Sequence, residues 1–146
     1  MYNFESGDKM KNNEKFVTVI NCMDGRVQVP VNKYMLETFE ADYLDTITEA
    51  GPNKILSDKL DEILVSSIKS RYEVSTKKHH SKVVAIVGHH DCGGNPADKK
   101  KQLEEIEASV KLVKSWNNEI HVFGIWVDEN WVVNPLEGGE YGKKAV

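Results

Sequence analysis

An α/β fold with a mostly parallel central sheet flanked by helices, and an antiparallel hairpin at its C-terminal edge, follows from three observations. Two apolar runs, Phe16-Val17-Thr18-Val19-Ile20 and Val83-Val84-Ala85-Ile86-Val87, are continuous rather than alternating. That pattern marks strands covered on both faces, as in parallel sheets. Segments of helical periodicity lie between the strand-like runs, which is what parallel pairing requires of its connections. The last two runs, residues 120–127 and 131–133, are joined by Asp128-Glu129-Asn130 alone. So short a link permits a hairpin and no crossover.

Residues 16–21 are β-branched and form the first strand, and residues 23–29 are the loop off its carboxyl end. Pro30 suits the first turn of a helix, where its missing N–H has no intrahelical partner. Tyr34, Leu36 and Phe39 supply that helix with a packing face. Residues 43–48 alternate imperfectly and predict a second strand, and Ala50-Gly51-Pro52-Asn53 is a turn. Ser57 is placed to cap a helix running to about Tyr72, in which Leu60, Ile63, Leu64 and Ile68 recur at helical spacing and face the sheet. Residues 73–82 read as a polar loop carrying solvated His79 and His80. The central strand, residues 82–88, leads through Asn95-Pro96 to a long helix over about residues 98–116. Its stripe is Leu103, Ile106, Val110 and Val113. His121 falls on the following strand as a structural residue, and Trp126 and Trp131 supply hairpin packing or an interface.

The totals narrow the function. The 146 residues, 40% hydrophobic and 29% charged, make a single domain over residues 1–146, with flexible ends at 1–14 and 138–146. A net charge of −4 offers no general attraction to nucleic acid or to an anionic membrane. The run Lys99-Lys100-Lys101 reads as a solvated helix face. No apolar stretch approaches the roughly 18 residues of a membrane span, and residues 1–15 lack a signal peptide's apolar centre. The expected compartment is the cytoplasm, where cysteines bind metal or react more often than they form disulfides.

Cys22 and Cys92 are the chain's cysteines, and each follows a strand end, with His89 three residues before Cys92. Zinc favours thiolate and imidazole donors, and its catalytic sites keep three protein ligands and one open position. Cys22, His89 and Cys92 supply such a set, which outweighs reading the thiols as small buried hydrophobes. Asp24 and Arg26 lie on the loop that follows Cys22. Asp24 has two available roles: a fourth zinc ligand that closes the site, or a carboxylate held by Arg26 that orients a zinc-bound hydroxide. Gly93 and Gly94 let the backbone come close and can offer N–H groups to an anionic oxygen. His90 is either a proton-relaying neighbour of the site or a surface residue.

Cys-x-Asp-x-Arg at Cys22, Asp24 and Arg26, followed by Gly-His-x-x-Cys-Gly-Gly from Gly88 to Gly94, resembles the β-class carbonic anhydrases. The Ala50-Gly51 turn and the terminal hairpin add to a likeness spanning roughly residues 16–135, that of a short, divergent member. The resemblance implies a Zn2+ cofactor on Cys22, His89 and Cys92 and an Asp24–Arg26 dyad. The implied reaction is reversible hydration of carbon dioxide to bicarbonate. It further implies a homodimer or larger assembly with its pocket at the subunit interface. Two alternatives belong with it: a related hydrolase of carbonyl sulfide or carbon disulfide, and a non-catalytic zinc-binding regulatory domain closed by Asp24. The chain departs from the family pattern at Glu49, where an arginine is usual, and at His90, where a small hydroxylated residue is usual. It also has only 21 residues before Cys22, where the family generally carries long helices.

Overall fold

The computed structural model describes residues 13–136. Of the expected flexible stretches 1–14 and 138–146, residues 1–12 and all of 138–146 lie outside the described residues. Among the described residues there are five strands: β1 (Phe16–Cys22), β2 (Tyr43–Glu49), β3 (Val83–His89), β4 (His121–Val127) and β5 (Val133–Leu136). They form one sheet in the order β2-β1-β3-β4-β5. The first four are mutually parallel, and β5 runs antiparallel to β4, as the short connection requires.

Period-two alternation divides the sheet's apolar residues between two cores. Val84, Ile86, Val122 and Trp126 face one layer, and Ala85, Val87, Phe123, Ile125 and Val127 face the other. The first layer holds α2 (Pro52–Asp58), α3 (Glu62–Glu73) and α4 (Lys99–Trp116), which contribute Leu56, Ile68 and Ile106 among others. The second holds α1 (Gln28–Thr38), which contributes Val31 and Met35. Sheet residues covered on both sides explain the continuous apolar runs. The stripe Leu103, Ile106, Val110 and Val113 is buried throughout, and Asp98 caps α4 by accepting the Lys101 N–H at 2.8 Å.

The expected helix from Ser57 to Tyr72 is two helices. Pro52 opens α2, which ends at Lys59 in the left-handed region (φ 57°), where the Asp58 carboxylate accepts the Leu60 N–H at 3.0 Å. Asp61 then caps α3 by accepting the Leu64 N–H at 3.0 Å. Two local side-chain acceptors therefore interrupt a periodicity that continues across them. Leu60 and Ile63 are 85% and 82% exposed and do not face the sheet, whereas Ile68 and Tyr72 are buried. Ser57 is no cap; its hydroxyl donates to the Lys54 carbonyl inside α2.

The expected polar loop after α3 starts as a π-helical turn, Val74–Lys78, that buries Ser75 and Thr76. Ser75 hydrogen-bonds Thr18 of β1 and donates to Asp45 of β2, and His79 meets the same Asp45 oxygen at 2.6 Å. The His79 ring also packs at a tilt against Phe16, so this histidine is half-buried and, of the pair, only His80 is solvated. His121 opens β4 with its ring stacked on Phe123.

Strand order positions the site. The chain leaves β1 for β2 on one side, then crosses back to β3 on the other. The carboxyl ends of β1 and β3 therefore flank a topological switch point, the crevice where open α/β sheets bind ligands. Two glycines bring the flanking loops together there. Gly51 has φ +71°, and a Cβ on Gly94 would lie 2.6 Å from the Ala50 carbonyl oxygen and closer still to its carbon. Backbone cannot yield as a flexible side chain does, so Gly94→Ala should cost about 2 kcal/mol or more. Gly93→Ala, where a Cβ meets nothing within 4 Å, should stay within about 0.5 kcal/mol of the native protein. Paired urea denaturation curves of the two variants measure the difference.

Candidate metal centre

Cys22 at the end of β1, His89 at the end of β3 and Cys92 in the turn beyond it converge at the switch point. Their donor atoms lie within 4.8 Å of one another, and all three residues are buried. The two sulfurs are 3.8 Å apart and unbridged. His89 Nδ1 lies 2.7 Å from the His90 carbonyl and donates to it, which fixes the tautomer and leaves Nε2 as the lone-pair nitrogen. Buried His89 Nε2 has no hydrogen-bond partner. A fully buried imidazole nitrogen left unpaired beside two sulfurs is costly in a protein without a metal, and it is the geometry of a ligand awaiting one.

Electrostatics agree with that fit. The Cys22 thiol is pulled down, first by the hydrogen bond from Cys92, against the cost of burial, and then by His89 and the Asp24 and Gly51 amides. The Cys92 thiol is pushed up by the Cys22 sulfur it serves and by burial, while the Gly94 and Asn95 amides act in the opposite sense. Burial favours neutral His89, but the nearby Cys22 sulfur, the His90 carbonyl and the Asp24 charge outweigh this and raise its pKa. Without metal, the protons of this trio are therefore held more firmly by Cys92 and His89 than by Cys22. A divalent cation would replace those protons. The Gly94 amide, expected to serve an anionic oxygen, instead faces the Cys92 sulfur. Gly93 and Gly94 precede α4 by several residues and are not its N-terminus.

Asp24 stands beside this trio. Arg26 donates to it from Nε (3.0 Å to Oδ1), from Nη2 (2.7 Å to Oδ2) and from its backbone N–H (2.9 Å to Oδ1). Asp24 Oδ2 is 4.0 Å from His89 Nε2. The hydrogen bonds from Arg26 hold the Asp24 carboxyl at about 2, against the opposing effect of burial, and Asp24 in turn raises Arg26 further above its ordinary value. His90 is exposed, with its ring edge-on to Trp131. Glu49, the register partner of Cys22, is paired with Arg71 of α3 at 2.5 Å, so its charge is neutralised locally.

Sequence reasoning missed the residues that hold the two loops. Gln28 Nε2 donates to the Cys22 and Asp24 carbonyls at 2.7 and 3.0 Å. Buried Gln102 of α4 accepts the His89 N–H through Oε1 and donates through Nε2 to the His89 and Asn95 carbonyls. The available signal was position: Gln102 adjoins the apolar stripe of an otherwise amphipathic helix, and a polar group there needs partners. Asp91 and Trp131, both touching Arg26, left no local signal.

The chain matches, over residues 12–137, the family model described as "Putative carbonic anhydrase". No protein of curated function matches it in sequence. Among solved structures, carbonic anhydrase from Streptococcus mutans superposes with a TM-score of 0.55 at 16% identity, covering 83% of this chain and 81% of that one. Tetrameric beta-carbonic anhydrases from Sordaria macrospora give 0.56 at 13% identity, covering 86% and 81%. Carbonic anhydrase from Glaciozyma antarctica gives 0.52 at 16%, covering 83% and 81%. At such identities the likeness to these structures is one of fold. The family match spans nearly the whole chain, and together with that fold it assigns the chain to the carbonic anhydrase family, as a short and divergent member with the β-class architecture.

Proposed function

We propose that this protein catalyses the reversible hydration of carbon dioxide to bicarbonate, with Zn2+ held by Cys22, His89 and Cys92. The observation that carries the reading is the buried trio of donors with His89 Nε2 unpaired among them. Zinc bound there would supply water acidified to near-neutral pKa, the nucleophile that carbon dioxide requires.

The chain's own residues would supply the rest. Net reaction joins water to CO2 and releases one proton. Asp24 stays ionised at neutral pH, because its carboxyl is held at about 2. So acidic a group is a poor base, since an effective general base titrates near the working pH. Its role is therefore to accept a hydrogen bond and orient the attacking oxygen, while the proton passes to solvent. Arg26 keeps the carboxylate turned and charged through its forked contact. That engagement favours an orienting Asp24 over one that closes the metal as a fourth ligand.

The partner is then a small neutral substrate, with no nucleic acid or membrane implied. No helix among the described residues is long and apolar enough to cross a membrane. We further propose a homodimer or higher assembly in the cytoplasm. Met23 and Val29, on either side of the dyad loop, are 65% and 75% exposed and suit coverage by a second subunit. Stopped-flow CO2 hydration on zinc-loaded protein tests the reading. Sulfide release from carbonyl sulfide or carbon disulfide without CO2 turnover would transfer it to the hydrolase alternative. Inactivity toward all three substrates would favour a zinc-binding regulatory domain.

A further inference from the structure

Trp131 and Asp91 are both non-glycine residues in the left-handed backbone region, at φ 61° and 56°. Glu40, Lys59 and His80 share that conformation, and each is exposed. A bulky aromatic residue rarely adopts it, and such outliers persist where their surroundings over-determine them. Trp131 is held in this way. The Asp128 carboxylate accepts the Asn130 and Val132 N–H groups at 2.9 and 3.0 Å, and the Trp131 N–H donates to the Asp128 carbonyl at 2.9 Å.

The strained turn delivers the Trp131 ring onto Arg26, with the guanidinium carbon 4.4 Å from the ring centroid. Asp91, from the loop between His89 and Cys92, takes the remaining edge of the same guanidinium. Arg26 Nη1 donates to its carboxylate at 3.2 Å and Nη2 to its carbonyl at 3.0 Å. Arg26 is thus held on three sides, by Asp24, Asp91 and the Trp131 face, although its side chain is 45% exposed. Arg26 is the cation that holds Asp24, so whatever orients Arg26 also sets the angle of that carboxylate relative to His89 Nε2.

We propose that Trp131 and Asp91 are positioning residues, a clamp on Arg26 that holds the Asp24 carboxylate beside the metal ligands without letting it become one of them. The proposal rests on the dyad reading above. Trp131 carries the larger part, because stacking on an aromatic face is less screened than the pairing with Asp91, whose side chain is 71% exposed.

The test uses substitutions that tolerate left-handed backbone. Trp131→Asn removes the ring and Asp91→Asn removes the charge, while asparagine accommodates φ > 0 at either position. Trp131→Phe restores an aromatic face. The readouts are kcat, KM and the visible absorption spectrum of the cobalt(II)-substituted protein, which reports metal coordination. Trp131→Asn should lower kcat about tenfold with KM changed less than about twofold, and Trp131→Phe should recover most of the loss. Asp91→Asn should cost about threefold. The cobalt spectrum of Trp131→Asn should shift as the released carboxylate approaches the metal. In an Asp24→Ala background the same substitution should change neither kcat nor spectrum, because nothing is left to position. Unchanged kcat and spectrum in Trp131→Asn, or an equal effect with and without Asp24, would overturn the clamp. If the native protein hydrates no CO2, the functional reading fails, and the Asp24-dependent spectral shift alone decides the clamp.

Discussion

Replacing Asp24 with alanine should lower CO2 hydration about 10²- to 10³-fold while leaving one zinc per chain, the effect expected when one preorganised hydrogen-bonding partner is removed from a reacting oxygen. The expectation has two separable halves. Asp24 lies outside the donor trio, and its carboxylate is engaged by three donors of Arg26, so zinc should remain. Its carboxyl titrates at about 2, so it does not supply the base, and the loss should be nearly uniform across neutral and alkaline pH. Loss of zinc together with activity would make Asp24 a ligand. Retention of full activity would remove the dyad from the mechanism. Elemental analysis beside stopped-flow rates separates the three outcomes.

The second large effect concerns the metal's part in stability. A cation that binds only the folded chain at about 1,000 times its dissociation constant stabilises it by roughly 4 kcal/mol. For a chain of this size, stripping the metal with a chelator should therefore lower Tm by about 8 °C or more. Cys92→Ser should bind zinc poorly and melt near the stripped native protein, since in the absence of metal the substitution removes little packing. Acid should oppose binding, with a defined sign. The pKa values of Cys92 and His89 are both raised without metal, so below His89's ordinary range both hold protons that zinc must displace. Affinity should thus rise with pH, by about 100-fold per unit while both groups start protonated. Calorimetric titration in two buffers of different ionisation enthalpy counts the released protons. Binding that is insensitive to pH would contradict the assigned donors.

The fold was legible where a single physical rule governed each residue. β1 and β3 are covered on both faces, so their apolar runs could be read directly, and their ends carried the thiols and His89 that mark the site. The region between Ser57 and Asp61 misled because helical periodicity runs on through a break made by Asp58 and Asp61, whose capping bonds compete locally with the helix. The π-helical turn was illegible for another reason. Ser75 and Thr76 are buried polar groups, and Ser75 pairs with Thr18 on a strand far away in sequence. The site divides in the same way. Cys22, Asp24 and Arg26, like His89 and Cys92, lie in local sequence motifs, whereas Gln102, Asp91 and Trp131 reach them through contacts that exist only once the chain has folded.

In the proposed reaction Cys22, His89 and Cys92 would hold the zinc ion at which carbon dioxide is hydrated. Stopped-flow CO2 hydration by protein of measured zinc content, at neutral and alkaline pH, tests it most directly. Rapid turnover at both pH values, proportional to zinc content and abolished by Cys92→Ser, is the predicted result. Fully zinc-loaded protein with no turnover at either pH would contradict it.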